Sequence, residues 1–135
     1  MIREILQELR DRTEASRVTL RSGEGFPIVE EVLGPGAESL RDVTSVIQTT
    51  QPVAIEVMAG RQVVQDDSAS AYDDPEFHRM RRVYGGLAAQ IVTPVFADGE
   101  VVAIVSLHQL GEPRHWTEDE VEACRAAAAR VAELL

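Results

Sequence analysis

A pair of strands joined by a tight turn, between residues 88 and 110, constrains the fold of this chain more than any other stretch. Asp98-Gly99 supplies the turn, because glycine reaches positive φ without a Cβ clash and aspartate tolerates it. Residues 101–105 read VVAIV and are apolar at every position. A strand of that composition is buried on both faces, which predicts a place in mid-sheet with other elements packed on each side.

The polar end of this buried strand is a candidate ligand site. Ser106, His108 and Gln109 follow directly after the apolar run. Such side chains can supply the hydrogen-bonding groups of a pocket that opens at the end of a buried strand. This end of the hairpin is therefore the predicted position of a ligand pocket.

Length and charge exclude several classes of protein. With 135 residues and no visible repeat or linker, the sequence predicts a single domain spanning residues 1–135. A net charge of -10 repels phosphate and argues against a nucleic-acid surface. The sequence has no run of about 18 apolar residues, and its charged start lacks the apolar segment of a signal peptide. A cytoplasmic protein that enters no membrane is therefore expected.

The reactive residue types argue against an enzyme and against a metal site. The single cysteine, Cys124, excludes an internal disulfide and a zinc site with several thiolates. All 13 basic residues are arginine, which removes Schiff-base lysine chemistry. No serine lies in a nucleophile elbow, and the acidic residues between 66 and 76 lack the spacing of an EF-hand. We therefore predict no catalytic residues and no metal ligands.

The rest of the chain contains further strand and helix patterns. Alternating apolar residues predict strands at residues 17–21, 26–33 and 62–65. Helical spacing predicts helices at residues 2–14, 37–50, 51–59, 74–84 and 117–135, of which 37–50 has the weakest pattern. Thr117 and Glu120 form a capping box that begins the last helix. The order predicts an α+β fold with helices packed on a central, mainly antiparallel sheet.

The apolar faces of the two terminal helices admit two interpretations. Ile2 and Leu9 belong to the apolar face of the first helix, and Val121 and Leu135 to that of the last. These faces either pack on their own domain or form a homodimer interface.

Four segments together resemble the GAF domain, a small-molecule sensor domain of signalling proteins. They are GRQVVQDD at residues 60–67, TPV at 93–95 followed by Asp98-Gly99, AIVSL at 103–107, and PRHWTEDE at 113–120. Their order and spacing carry the resemblance, although Ala103 stands where the family usually has glycine. The resemblance implies a ligand pocket between the sheet and residues 66–86. It also implies that the N- and C-terminal helices lie together and frequently form dimers.

The stretch from His78 to His108 is similar to the GAF domain of bacterial phytochromes. In that family a histidine of the pocket helix and a histidine of the last strand both contact the bilin. His78 and His108 match those positions, and Gln90 and Val92 match two positions that face the chromophore. The attachment cysteine of the family lies elsewhere, and Cys124 on the apolar face of the last helix cannot replace it, so the resemblance implies no covalent bilin.

The two histidines also have purely structural interpretations, as a half-exposed helix residue and a hydrogen-bonded residue at a strand end. An axial histidine for haem carries no spacing signature. No cofactor is therefore predicted, since neither haem nor a non-covalent bilin is favoured. Ser106 shares a strand face with His108, because side chains alternate along a strand. A two-residue hairpin turn would put Gln90 on the opposite face, and a three-residue turn would put it on the same face.

Two functions remain open. The first is a sensor whose small-molecule ligand orders residues 66–86 and changes the terminal helices, with a partner protein supplying the output. The second is a protein-interaction or dimerisation module with a closed pocket. The arginines at 79, 81 and 82 either form a solvated helix face or reach a ligand anion. The candidate pocket residues are Met58, Tyr72, Phe77, His78, Met80, Tyr84, Gln90, Val92, Ser106 and His108.

Overall fold

The computed structural model describes residues 1–46 and 48–135. The helices of this part of the chain are α1 (Ile2–Thr13), α2 (Pro52–Met58), α3 (Pro75–Val83) and α4 (Glu118–Ala132). The strands are β1 (Arg17–Ser22), β2 (Ile28–Leu33), β3 (Val63–Gln65), β4 (Leu87–Ala97) and β5 (Glu100–Leu110). Short 3-10 turns lie at Gln48–Thr50 and Ser68–Ser70.

The five strands form one antiparallel sheet in the order β2-β1-β5-β4-β3. The apolar strand β5 lies in the middle, as its composition predicts. Apolar side chains pack on both sides of the sheet, in two separate clusters. The predicted α+β fold with helices on a central antiparallel sheet is confirmed.

The first face of the sheet packs against the two terminal helices. Leu6 and Leu9 of α1 meet Cys124 and Val131 of α4 in one buried cluster with the inward residues of β1, β4 and β5. The capping box predicted at the start of α4 is present, with Thr117 Oγ1 accepting from the backbone N–H of Glu120. The apolar stripes of α1 and α4 are therefore largely buried in this chain's own core.

The second face of the sheet is covered by α2, α3 and the irregular segment before α2. Phe77 and Met80 of α3 and Val57 of α2 pack there on Val92 and Ile104 of the sheet. The helix α3 begins where Asp74 accepts hydrogen bonds from two backbone N–H groups of the first turn, followed by proline at its first position. This side holds the space in which a ligand could bind.

The prediction of a helix at residues 37–50 was wrong for residues 37–46, where the structure has turns, bends and irregular backbone. Ile47, which belongs to that prediction, lies outside the described residues. The Gln48–Thr50 turn is the helical part of the segment.

Buried charged side chains from the sheet hold residues 38–40 in their irregular path. The Glu31 carboxylate accepts hydrogen bonds from Ser39 Oγ at 2.5 Å and from the backbone N–H of Leu40 at 2.9 Å. The Arg17 guanidinium donates to the carbonyl of Glu38 at 3.0 Å. Because these side chains satisfy backbone groups that a helix would pair internally, the segment does not need helical hydrogen bonds.

The hairpin of β4 and β5 contains a two-residue turn and two register irregularities, one between Leu87 and Ala89 and the other a β-bulge near the turn. Asp98 and Gly99 both have positive φ, at 53° and 80°, as a tight hairpin turn requires. The pairing then skips Val102, so β5 carries one extra residue. As a result Gln90 lies directly opposite His108 and on its face. The expectation that a two-residue turn puts Gln90 on the opposite face was wrong, because the bulge shifts the alternation by one residue.

Within residues 1–46 and 48–135, no helix combines the length and the hydrophobicity needed to cross a membrane.

Candidate functional site

A small cavity of about 50 Å³ lies on the second face of the sheet, below residues 48–54 and α3. Alternate residues of β1, β4 and β5 form its floor, and α3 and the start of α2 form its cover. Its lining residues are Thr19, Arg21, Gln48, Gln51, Val53, Ala54, Met80, Tyr84, Gln90, Val92, Ile104, Ser106 and His108.

The structure brings six of the ten candidate pocket residues together around this cavity. Ser106 and His108 come from β5, Gln90 and Val92 from β4, Met80 from α3, and Tyr84 from the C-cap position that follows α3. The two strands supply them from one face because the bulge at Val102 aligns Gln90 with His108. The polar end of β5 therefore does open on a cavity.

The other four candidates lie outside the cavity lining. Met58 is at the end of α2 and is 45% exposed. Phe77 is fully buried in the apolar cluster, where its ring meets that of Tyr72 edge-on at 4.8 Å. His78 follows one position later on α3, so the turn of the helix directs it sideways, and its Nε2 donates to the carbonyl of Tyr72 at 2.8 Å.

The arginines of α3 do not reach the cavity either. Arg79 pairs with Glu76 and donates to the carbonyl of Ser45 at 2.5 Å. Arg81 donates to the carbonyl of Leu87 at 2.8 Å and approaches Nδ1 of His78. These side chains hold α3 to its neighbours, and none of the three arginines lines the cavity.

A buried guanidinium lies directly behind the cavity. Arg17 is 1% exposed, and its Nε and Nη2 lie 3.1 Å and 2.9 Å from Nδ1 of His108. Arg17 also donates to the carbonyls of Glu38 and Tyr84. Burial lowers the pKa of Arg17 to about 10, although the nearby Glu31 carboxylate opposes that shift.

His108 is neutral in this environment. Burial lowers its pKa well below the ordinary range, and the charges of Arg17 and Arg21 lower it further. Its Nδ1 accepts hydrogen bonds, so the ring proton lies on Nε2. The ring stacks on that of Tyr84, with centroids 5.8 Å apart.

The Tyr84 hydroxyl is the meeting point of the cover and the sheet. It accepts a short hydrogen bond from Nε2 of Gln48 and a second one, at 3.2 Å, from Nη2 of Arg21. The Gln48–Tyr84 bond joins the covering segment to α3. Tyr84 also lines a neighbouring cavity of about 300 Å³, whose wall includes Arg17 and Leu40.

Two polar atoms in the cavity wall have no hydrogen-bond partner among the described residues. They are Oγ1 of Thr19, a residue 1% exposed, and Oε1 of Gln51, a residue 5% exposed. Most buried polar atoms in proteins have a partner, and leaving one without costs about 1–3 kcal/mol. By contrast, Gln90 on the same wall is satisfied, since its Nε2 donates to Oε1 of Gln65 at 2.9 Å.

The charge of the lining is positive although the chain is strongly acidic. Arg21 is the charged residue of the lining, and no carboxylate belongs to the lining formed by residues 1–46 and 48–135. No group of three or more histidine, cysteine or acidic residues in the same ranges is arranged to hold a metal ion. The site is therefore an electropositive cavity with a few polar groups on a mainly apolar lining.

Sequence reasoning missed the contributions of β1 and of residues 48–54. In the sequence Arg17, Thr19 and Arg21 alternate with the inward-facing Val18 and Leu20, which makes them look solvated. They are paired with the polar end of β5, since Arg17 lies opposite His108 and Thr19 opposite Ser106. Polar residues in alternate positions on two strands were the available signal, but strand pairing was needed to read it.

The single cysteine lies on the other side of the sheet from the cavity. Cys124 is almost fully buried between α4 and the sheet. Burial raises the pKa of its thiol to about 12, and Glu120 adds to the shift. The thiol is therefore protonated and unreactive near neutral pH.

Comparison with known proteins identifies the fold. The sequence matches the GAF domain family over residues 1–135. A search of curated proteins gives no match. Three similar solved structures share the fold at low sequence identity, and an identity this low shows likeness of fold alone.

The first is the cyanobacteriochrome receptor PixJ, with a TM-score of 0.83, 19% identity, and coverage of 98% of this chain and 91% of that chain. The blue-light absorbing form of the PixJ GAF-domain of Thermosynechococcus elongatus has a TM-score of 0.78, 21% identity, and coverage of 98% and 83%. A far-red absorbing dark state with bound biliverdin IXa has a TM-score of 0.73, 18% identity, and coverage of 95% and 83%. The family match over residues 1–135, with this fold and a cavity on the helix-covered sheet face, shows that the chain belongs to the GAF domain family of sensor domains.

Proposed function

We propose that this domain is a non-catalytic sensor that binds a small molecule in the cavity beneath residues 48–54 and α3. The observation that carries the proposal is the pair of unpartnered polar atoms, Thr19 Oγ1 and Gln51 Oε1, in the wall of one cavity. Folding tolerates their cost where a bound molecule supplies the missing hydrogen bonds. The proposed binding residues are the cavity lining, including Met80, Tyr84, Gln90, Val92, Ser106 and His108.

The small size of the cavity supports a proposal in which its cover moves when a ligand binds. A volume of about 50 Å³ holds one or two water molecules, whereas pockets for metabolite-sized ligands have at least about 300 Å³. The Gln48–Tyr84 hydrogen bond closes the cover over the sheet. Opening of that bond would join this cavity to the neighbouring one of about 300 Å³, because Tyr84 lines both.

The strands provide a route from the cavity to the terminal helices. Ser106 and His108 face the cavity, while Val105 and Leu107 on the same strand face α1 and α4. Movement of β5 by a ligand would therefore change the packing of both helices. In this proposal a partner protein or a second copy reads that change.

A bilin is the ligand that the structural neighbours bring into consideration, since one of them holds biliverdin. The residues present here do not fit a covalent bilin, because Cys124, the single cysteine, is buried on the opposite sheet face. A cavity of about 50 Å³ does not accommodate an open-chain tetrapyrrole. We therefore include no bilin in the proposed mechanism.

The test is native mass spectrometry and an absorption spectrum of the protein purified from its own host. We expect a bound mass that is lost from Ser106→Leu, whose larger side chain would fill the cavity. The matched control is Ser22→Leu, on the same sheet but outside the cavity, which should keep the bound mass. A bound mass that is still present in folded Ser106→Leu would contradict the proposal. Absorption of visible light would indicate that the bound molecule is a tetrapyrrole.

A second function, as an interaction or homodimerisation module, is favoured by an open groove along α4. The groove has about 550 Å³ and is lined by alanines of α4 and by Phe96, which is 47% exposed. Apolar surface left open in this way often marks a protein contact. Sedimentation velocity of Ala129→Glu, in this groove, and Ala126→Glu, in the groove between α1 and α4, tests both surfaces. A loss of dimer in one variant would identify the contact.

A further inference from the structure

The Tyr84 hydroxyl has a proton to donate, and the described residues offer no acceptor for it. Its oxygen accepts from both Gln48 and Arg21, which occupies its lone pairs. Its own O–H bond must therefore point to another acceptor. Residues 1–46 and 48–135 provide none, and Tyr84 lines the cavity.

His108 presents a second such donor. The Arg17 guanidinium occupies Nδ1, which places the proton on Nε2. No acceptor for Nε2–H is found in the described part of the chain, and the ring lines the same cavity. Two fixed donors therefore face one small space, and no hydrogen bond among the described residues uses either donor.

The Thr19 hydroxyl and the charge of Arg21 also favour a ligand that accepts hydrogen bonds. Thr19 Oγ1 has no partner, and a hydroxyl rotates to donate as readily as to accept. Arg21 adds a positive charge, and no described carboxylate lines the cavity to balance it. Beside Arg21, Tyr84 and His108 the missing component is an acceptor group that carries negative charge, whereas the unpartnered Gln51 Oε1 on the same wall requires a donor from another part of the ligand.

Resting on the proposed function, we infer that the ligand carries a carboxylate that binds between Arg21, the Tyr84 hydroxyl and His108 Nε2. A carboxylate offers two acceptor oxygens and one negative charge, which matches one lining arginine and two fixed donors. A phosphate carries more negative charge and four oxygens around a tetrahedral centre. Because Arg21 is the charged residue of the described lining, the group with a single negative charge is favoured.

The test is titration of the apo protein, followed by amide chemical shifts in NMR, with acetate, propionate and butyrate at constant ionic strength. The matched probes are the corresponding amides, which keep the shape and remove the charge, and inorganic phosphate. We expect saturable shifts around Ser106 and His108 with the carboxylates alone. In Arg21→Gln the dissociation constant should rise at least about tenfold, because a charge-assisted hydrogen bond is lost.

Arg61→Gln is the control for charge, since Arg61 is exposed, pairs with Glu56 and lies outside the cavity lining. This variant should bind as the unmodified protein does. The inference of a carboxylate would be overturned if amides bound as tightly as carboxylates, or if Arg21→Gln bound carboxylates as tightly as the unmodified protein. Either result would still leave the cavity as a binding site. Saturable binding of phosphate alone would replace carboxylate by phosphate. No saturable shift with any probe would overturn the inference, while the retained-ligand experiment decides the proposed function separately.

Discussion

The Arg17 guanidinium and the His108 imidazole meet directly opposite each other on β1 and β5, with Nε and Nη2 of Arg17 at 3.1 Å and 2.9 Å from Nδ1 of His108. A cation therefore donates to a histidine that has to remain neutral. This pair lies behind the cavity and links the sheet to the segments that cover it, through the carbonyls of Glu38 and Tyr84. The hydrogen bonds of the Arg17–His108 pair therefore help to fix the shape of the site.

The neutral state of His108 predicts a loss of stability in mild acid. Its pKa in the folded protein lies well below the ordinary value of 6.5, so the unfolded chain binds a proton that the folded chain does not. The free energy of unfolding should therefore be constant above about pH 6.5 and fall as the pH decreases below it. Urea unfolding between pH 7.5 and pH 5 measures this slope. His108→Gln should reduce the pH dependence of the free energy of unfolding, whereas His115→Gln, which alters an exposed ring, should leave that dependence unchanged.

Removal of the buried guanidinium should be strongly destabilising. Arg17→Met leaves the carbonyls of Glu38 and Tyr84 and Nδ1 of His108 without a donor. We expect the free energy of unfolding to fall by about 3 kcal/mol, measured by urea denaturation. Arg125→Met, at an exposed position of α4, should change it by less than about 0.5 kcal/mol. Equal effects of the two substitutions would mean that the buried network contributes nothing.

The unpartnered hydroxyl of Thr19 predicts a substitution that stabilises the protein while weakening binding. Thr19→Val replaces an unsatisfied buried hydroxyl by a methyl group, which should raise the free energy of unfolding by about 1 kcal/mol. Thr13→Val is the matched control. The Thr13 hydroxyl donates to the carbonyl of Leu9 and accepts from the N–H of Ala15, so this variant should lose about 1 kcal/mol. Thermal and urea unfolding of both variants separate the two cases, and a destabilised Thr19→Val would show that the hydroxyl has a partner in solution.

The buried thiol of Cys124 should react only when the protein unfolds. Its pKa is raised to about 12, and the residue is almost fully buried. Ellman's reagent should therefore label the native protein far more slowly than the protein in urea. Incubation with biliverdin should give no covalent adduct on a denaturing gel. A rapid native reaction, or an adduct lost in Cys124→Ser, would place the thiol within reach of a ligand.

The sequence predicted those parts of the fold that depend on local chemistry. The apolar run of residues 101–105 indicated the middle strand, and Thr117 with Glu120 indicated the start of α4. The helix predicted over residues 37–46 is absent because buried side chains of β1 and β2 hold the backbone of this segment. Such bonds join residues far apart in the chain and leave no periodic pattern.

The candidate site was predictable on β4, β5 and α3, where polar residues interrupt apolar patterns. It was not predictable on β1, since Arg17 and Arg21 have the appearance of solvated residues on an alternating strand. His78 was a candidate because of its place in a motif, but a single step along α3 turns its side chain toward the Tyr72 carbonyl. A shift of one residue decides which side chains line a cavity, and motif spacing does not resolve it.

The bulge at Val102 has a consequence for how this hairpin can change during evolution. From Val95, opposite Ala103, to Ala89, opposite Gln109, the pairing is regular, and Gln90 lies opposite His108. A deletion of the extra residue would restore an ordinary ladder at the tip and leave those pairs in place. The hairpin thus holds one spare residue between its tip and the cavity. We therefore expect the hairpin to absorb a single-residue deletion near its tip while the residues that line the cavity keep their pairing.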